Sequence, residues 1–244
     1  MYYPFCLFIG LLPSVIWLLI FLSRDVHPES KGMILKIFFY GALATIPAYL
    51  MENGFKFFFV KDSYLGNGIF LFFYMVLGVA AIEESLKYLV VREKVLLHPE
   101  FDEPTDVMVY MITSAMGFAA LENILIFLSP NAFGYSISQT LSLAGYRFIS
   151  ATFLHALCSG IIGFFLALSL YETKKRDKLF ALGIMISILL HGLYNFYIIK
   201  LLESKNQQLS IFSTVSLISI FVGLVVLIGF CFRKLKKLKS VCKI

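Results

Sequence analysis

Long apolar runs separated by short charged loops make up most of the chain. A helix needs about 20 residues to cross a bilayer. The hydrophobic pattern predicts seven such spans, at about 4–22, 33–51, 65–91, 107–128, 147–170, 179–199 and 211–232. We therefore expect an all-α, polytopic transmembrane helical bundle of about seven spans, with an eighth left open. One integral-membrane domain, residues 1–244, accounts for the whole sequence.

The composition agrees with a membrane protein. Charged residues make up 15% of the chain and hydrophobic residues 59%, whereas a soluble domain carries about 25% charged residues. The first apolar run follows no basic segment and precedes no small-residue cleavage site, which predicts a retained span rather than a signal peptide. The four cysteines have no paired spacing, so a disulfide framework and a zinc ribbon are both excluded.

Lysine and arginine are concentrated in every second loop and in the carboxyl-terminal tail. These segments carry fourteen of them, and the alternate loops carry four. The imbalance predicts an amino terminus outside and a carboxyl terminus in the cytoplasm. The net charge of +6 therefore reflects topology and contact with the lipid bilayer, and we expect no nucleic-acid partner. The uncharged segment 129–146 on the outer side is either an interfacial or re-entrant element over a site or an amphipathic loop.

Three charged residues, Glu83, Glu84 and Lys87, lie inside the third apolar run, in the segment AIEESLKYLVV. A charge at that depth costs on the order of 3 kcal/mol or more, so such residues normally face the interior of a bundle and belong to a pathway or a site. Glu83 and Lys87 are four residues apart and share a helix face. Glu84 lies about 100° around the helix and lacks that partner, so we expect later helices to supply its polar neighbours.

Polar side chains recur in the fourth, fifth and sixth spans, and the rise of about 1.5 Å per helical residue allows all of them to lie in one layer. The predicted catalytic residues are Glu83, Glu84, Glu122, His155, His191 and Asn195. The predicted supporting residues are Lys87, Asn123 and Arg147. For single members of the set, a buried ion pair or a hydrogen bond between helices is the alternative interpretation.

Two mechanisms of peptide hydrolysis can use these groups. In the first, a glutamate deprotonates water, and the N–H groups of histidine and asparagine stabilise the oxyanion. In the second, Glu122, His155 and His191 bind zinc and leave a fourth position open for water. The residues alone leave open whether the cofactor is zinc or whether there is none.

Other intramembrane-protease chemistries lack the residues they need. The chain contains no HExxH motif, and no aspartate lies in a predicted span. Leu157 stands where the rhomboid-like G-x-S-G motif requires its first glycine before Ser159. The main alternative to a protease is a proton- or ion-coupled transporter, in which the carboxylates and histidines form a relay, although no internal repeat supports it.

Three motifs follow one another along the third to sixth spans, with His155 between the second and the third. They are Glu83-Glu84-Ser-Leu-Lys87 (EExxK), Phe118-Ala-Ala-Leu-Glu122 (FxxxE) and His191-Gly-Leu-Tyr-Asn195 (HxxxN). This order resembles the PrsW family of membrane proteases. It is more distantly similar to the CPBP family, which includes the CAAX prenyl proteases and has a histidine where this chain has Glu122.

The resemblance implies a multi-pass protease of the cell membrane with a catalytic core at about 65–200. Glu83 and Glu84 are then the catalytic carboxylates, and the other four candidates complete the site. The implied partner is a membrane-protein substrate, an anti-sigma factor. The resemblance further implies that the protease makes the first cut in this anti-sigma factor, which activates an extracytoplasmic-function sigma factor in envelope or antimicrobial-peptide stress. A catalytically inactive membrane scaffold or immunity protein is the remaining alternative.

Overall fold

The computed structural model describes residues 3–23, 28–61, 64, 67–99, 101, 103–129, 135–203 and 206–235. Within these ranges the regular structure is helical throughout, which confirms the all-α prediction. The helices are α1 Tyr3–Leu22, α2 Lys31–Phe59, α3 Gly68–Lys94, α4 Pro104–Phe127, α5 Ile137–Ile149, α6 Ala151–Tyr171, α7 Arg176–Glu203 and α8 Gln207–Leu235. A short 3₁₀ turn, Thr173–Lys175, joins α6 to α7.

Seven helical segments of the described chain are long and apolar enough to cross a membrane, which confirms the predicted number of spans. Helices α5 and α6 together form one of them, 35 residues long. The break between the two lies at Ser150, where φ is −114° and ψ is −91°. The chain is thus a multi-pass membrane protein, and its orientation stays a prediction.

Helix α5 occupies the second half of the uncharged segment 129–146. It begins with a capping box, in which Ser136 Oγ accepts from the Gln139 backbone N–H at 3.3 Å and Gln139 Oε1 accepts from the Ser136 N–H at 2.8 Å. Such a box satisfies two backbone donors that a helix start would otherwise leave free. This half is therefore a helix and not a loop. Residues 130–134 lie outside the described part, and a role as a lid stays a prediction.

Helix α4 is the centre of the bundle. Its residues 104–120 are buried on every side, as expected for a helix surrounded by others, and α1, α2 and α6 pack around it. Two glycines permit the contact with α2. A Cβ at Gly117 would lie 1.9 Å from the carbonyl oxygen of Phe38, and one at Gly41 would lie 2.1 Å from that of Ser114. The backbones of α2 and α4 therefore touch directly.

Helix α3 changes its winding just before its charged segment. Residues Tyr74–Ala80 form a π-helix between two α-helical parts, and π-helical turns occur frequently at functional sites. Helix α7 packs against this turn at Gly192, where a Cβ would lie 2.6 Å from Val76 Cγ2. Only a glycine allows α7 to approach α3 this closely. The close approach also places the preceding residue, His191, next to α3.

Candidate active site

The ammonium of Lys87 lies at the centre of a buried polar cluster. Its Nζ is 3.1 Å from Glu83 Oε2 and 2.7 Å from Glu84 Oε1. Lys87 and Glu84 have no exposed surface, and Glu83 is 5% exposed. The prediction that Glu84 lacks the lysine as a partner is wrong. Positions three and four residues apart share a helix face, and the long lysine side chain reaches between both carboxylates.

His155 joins the cluster from α6. Its Nδ1 is 2.7 Å from Lys87 Nζ, and its Nε2 is 2.9 Å from Glu122 Oε2 on α4. An ammonium can only donate a hydrogen bond and an ionised carboxylate can only accept one. Nε2 therefore carries the ring proton, and Nδ1 accepts from Lys87. The two neighbours fix both the tautomer and the orientation of His155.

His191 on α7 is held by Glu84. His191 Nδ1 lies 2.9 Å from Glu84 Oε1, and the two histidine rings of the cluster meet edge to face with their centroids 5.0 Å apart. The second oxygen of Glu84 accepts from Ser159 at 2.9 Å and lies 3.5 Å from Ser187 Oγ. The single proton of the Ser187 hydroxyl goes to the Cys158 carbonyl oxygen at 2.9 Å. With the lysine ammonium, Glu84 thus has three donors around its two oxygens.

Arg147 on α5 neutralises the third carboxylate. Its Nη2 donates to Glu122 Oε2 at 3.0 Å, and its Nε donates to Asn123 Oδ1 at 2.5 Å. Asn123 is fully buried and donates to Thr152 Oγ1 at 3.0 Å. Arg147 therefore balances the charge of Glu122, while Asn123 ties α4 to α5 and α6.

A cavity of about 280 Å³ lies beside the cluster. Five of the six predicted catalytic residues line it: Glu83, Glu122, His155, His191 and Asn195. The sixth, Glu84, is fully buried and does not line it. The structure thus brings the predicted residues from four helices to one place, and their catalytic roles stay predictions.

Glu52 on α2 also borders this cavity, although the hydrophobic pattern did not indicate it. A second cavity, of about 410 Å³, is lined by Glu52 as well, and Glu83 and Glu122 line both. Glu52 falls one residue past the predicted second span, but α2 continues to Phe59. The aromatic run FKFFF that follows Glu52 is the signal that could have extended the span.

Four members of the cluster could hold a metal ion. Glu83, Glu84, His155 and His191 each offer one donor atom, and these atoms all lie within 4.8 Å of one another. The predicted zinc set shares its two histidines with this group. Its third member, Glu122, contacts Nε2 of His155, whereas Glu83 Oε2 lies 3.7 Å from Nδ1 of the same ring. His155 thus lies between Glu83 of α3 and Glu122 of α4, whereas both nitrogens of His191 face carboxylates of α3.

Comparison with known proteins identifies the class of enzyme. A family model described as PrsW family intramembrane metalloprotease matches residues 29–228. The chain belongs to the PrsW family. Among curated PrsW proteases, that of Bacillus subtilis (strain 168) is 31% identical over 194 residues, which is 79% of this chain and 82% of the relative. Protease PrsW of Oceanobacillus iheyensis is 29% identical over 187 residues, 77% of this chain and 80% of the relative. No solved structure matches the chain significantly.

Membership of the PrsW family makes this protein an intramembrane protease. The resemblance inferred from the EExxK, FxxxE and HxxxN motifs is confirmed, and so is the prediction of an enzyme. Relatives named as proteases favour peptide hydrolysis over the transporter hypothesis. The family is described as a metalloprotease family, in keeping with the glutamate and histidine donors of the cluster.

Proposed function

We propose that this PrsW-family chain is a glutamate-dependent endopeptidase that hydrolyses a peptide bond of a membrane-protein substrate within the bilayer. The observation that carries the proposal is the buried cluster around Lys87, of which Glu83, His155 and His191 border one cavity. Ionisable groups within membrane helices are costly and normally serve a function. A cavity bordered by carboxylate and imidazole groups supplies what water addition to a peptide carbonyl requires.

Glu83 is the carboxylate best placed to act on water. It lines both cavities, and within the described chain its hydrogen bonding is limited to Lys87. Glu84 already has three donors and does not line either cavity. We therefore assign Glu83 the role of accepting a proton from the attacking water, a role typically worth about 10²–10⁴-fold in rate. Glu84 positions His191.

The cavity also offers donors for the developing oxyanion. Asn195 lines it from the same face of α7 as His191, and Tyr146 and Tyr194 line it as well. Preorganised N–H and O–H donors aimed at developing negative charge lower the barrier of acyl transfer. His191 uses its Nδ1 proton on Glu84, so we assign oxyanion binding to Asn195.

The donor set fits a divalent metal such as zinc, which proteins bind through imidazole nitrogens and carboxylate oxygens. We propose His155 Nδ1, His191 Nε2 and Glu83 Oε2 as its ligands, so that Glu83 keeps Oε1 for the proton of water. Glu83 Oε2 lies 3.7 Å from His155 Nδ1 and 3.9 Å from His191 Nε2. These distances are close to the separation of about 3.4 Å between two ligand atoms of a tetrahedral zinc site. A bound ion supplies a Lewis acid that polarises a peptide carbonyl.

Each histidine has a carboxylate on its other nitrogen. Glu122 contacts His155 Nε2, and Glu84 contacts His191 Nδ1, each at 2.9 Å. Metal-binding histidines usually donate their second N–H in this way, which fixes the ring and makes the ligating nitrogen more basic. We therefore assign Glu122 to the orientation of His155, in place of the metal ligation that the sequence left open for it.

We propose a single-span membrane protein of the anti-sigma-factor type as the substrate, as the family resemblance implies. Its cleavage would activate an extracytoplasmic-function sigma factor during envelope or antimicrobial-peptide stress. The second cavity supports a hydrophobic substrate, since Ala48, Phe118, Leu125 and Ile126 line it. Because Glu52 borders both cavities, we extend the proposed catalytic core from residues 65–200 to include the end of α2.

Reconstitution tests the proposal. The full chain and a single-span anti-sigma factor are placed in the same liposomes, and cleavage is followed with wild type, His191→Ala and Leu189→Ala. Leu189 lies on the same helix and is 45% exposed, so it is the matched control. We expect His191→Ala to remain folded and to lose cleavage by about 10²-fold or more, and Leu189→Ala to cleave normally. Unchanged cleavage by folded His191→Ala contradicts the proposal.

A further inference from the structure

Lys87 occupies the donor atoms that a metal ion would need. Its Nζ lies 2.7 Å from His155 Nδ1, 2.7 Å from Glu84 Oε1 and 3.1 Å from Glu83 Oε2. All three neighbours belong to the group of four residues whose donor atoms could meet at one ion. The ammonium is therefore surrounded by three of the four residues able to ligate.

His155 Nδ1 is the atom for which the two cations compete. The other nitrogen of this ring carries the proton and donates to Glu122 at 2.9 Å, so Nδ1 has a single lone pair. That lone pair can accept a hydrogen bond from Lys87 or bind a metal ion, but it cannot do both. In addition, the ammonium charge repels a divalent ion at this distance.

We propose that Lys87 is a built-in competitor for the metal ion: the ion binds at His155, His191 and Glu83 only when the Lys87 ammonium has left His155 Nδ1. Lys87 balances the carboxylates of the empty cluster, and the ion balances those of the loaded one. This inference rests on the metal site of the proposed function and adds the condition under which that site fills.

The backbone and the ammonium of Lys87 are held by different groups. Ser114 Oγ donates to the Lys87 carbonyl oxygen at 3.1 Å, which anchors this turn of α3 to α4. Besides the carboxylates and His155, the ring of Phe118 contacts the ammonium, with its centroid 4.4 Å from Nζ. A cation over an aromatic face is attracted by the ring quadrupole, most strongly where water is excluded. A substitution at Phe118 therefore loosens Lys87 without removing a charged group.

The test measures zinc affinity of the full chain in detergent. Protein stripped by a chelator is titrated with Zn²⁺ against a chromophoric zinc indicator, and bound zinc is counted by mass spectrometry. We expect Lys87→Met to bind Zn²⁺ at least about tenfold more tightly than wild type, and Lys87→Arg, which keeps the charge, not to bind more tightly. Arg147→Met removes a positive charge beside Glu122 without freeing a proposed ligand, and we expect a smaller gain in zinc affinity than in Lys87→Met.

Phe118→Leu keeps the test decisive if Lys87→Met does not fold, and we expect it to bind Zn²⁺ about threefold more tightly than wild type. Equal or weaker binding by Lys87→Met, or by Phe118→Leu where Lys87→Met is unfolded, overturns the competition. A gain in Arg147→Met as large as in Lys87→Met overturns it as well. If wild type binds zinc and His155→Ala does not, the proposed metal site is supported even where the competition by Lys87 is overturned. Absence of zinc binding in every variant overturns the competition and the metal site together.

Discussion

The two adjacent glutamates of α3 should respond differently to the same substitution. Glu83→Gln and Glu84→Gln each remove one negative charge and change almost no volume. Glu83 lines the cavities and receives one hydrogen bond, from Lys87 at 3.1 Å. Glu84 has no exposed surface and is surrounded by three donors. We expect Glu83→Gln to impair mainly the reaction and Glu84→Gln mainly the structure.

The hydrogen bonds set the size of the stability effects. A bond to a charged group is worth about 1.5–3 kcal/mol, so Glu83→Gln, which weakens one such bond, should lower the free energy of unfolding by about 1–2 kcal/mol. In Glu84→Gln the amide oxygen can face Lys87 and His191 while the NH₂ group faces the two serine hydroxyls, which can turn to accept. The loss is then two weakened charge-assisted bonds, about 2–4 kcal/mol.

The effects on the reaction run in the opposite order. Loss of a general base lowers the rate by about 10²–10⁴-fold, whereas loss of a group that orients a histidine costs about 10–100-fold. Single-turnover cleavage in liposomes with a co-reconstituted single-span substrate measures the effect of each substitution on the reaction. Thermal unfolding of the variants in one detergent measures the effect on stability. If folded Glu84→Gln loses as much cleavage as Glu83→Gln or more, the division of roles between the two carboxylates is wrong.

Three further predictions concern the surroundings of the cluster. In thermal-unfolding and cleavage assays, Gly192→Ala should lower stability by about 1–3 kcal/mol and slow cleavage, because its methyl group would meet Val76 at 2.6 Å. Gly223→Ala, which has open space around its Cβ position, should do neither. Arg147→Gln leaves Glu122 without its ion pair, so the free energy of unfolding measured in denaturant should fall by about 3 kcal/mol, and an unchanged value would show that Glu122 does not depend on it. Removal of metal by a chelator should abolish cleavage and lower the unfolding temperature, and added Zn²⁺ should restore both, whereas cleavage that survives with no bound metal refutes the zinc site.

The positions of the helices followed from hydrophobicity because the bilayer demands long apolar runs with internally satisfied backbones. The pattern therefore located all seven spans, but it ended the second at residue 51, whereas α2 reaches Phe59. A hydropathy boundary marks where charge begins, and Glu52 is a charge that lies within the helix. The hydropathy pattern thus missed Glu52 because it is a charged residue within a helix, as the glutamates of the site are.

The composition of the cluster was predictable, but its hydrogen bonds were not. Charged and imidazole side chains inside apolar runs are candidates for a site because placing them in the bilayer costs free energy. Glu83, Glu122 and His155 were therefore predictable from the sequence. Which nitrogen of His155 faces Glu122 depends on the rotation of α6 against α4, and side-chain spacing within one helix carries no information about that rotation. The assignment of Lys87 failed for a different reason: it considered only the i,i+4 pair with Glu83, although Glu84, at i,i+3, also lies on the lysine's side of the helix.

The distribution of the charges over the helices links assembly of the bundle to formation of the site. Helix α3 carries its own cation, so its two glutamates and Lys87 can partly neutralise one another before other helices arrive. Glu122 on α4 has no such neighbour on its helix and receives Arg147 from α5 and His155 from α6. An unpaired carboxylate in the bilayer costs on the order of 3 kcal/mol, and this cost is relieved only when α4, α5 and α6 have packed together. The contacts that neutralise Glu122 when these three helices pack therefore also orient His155.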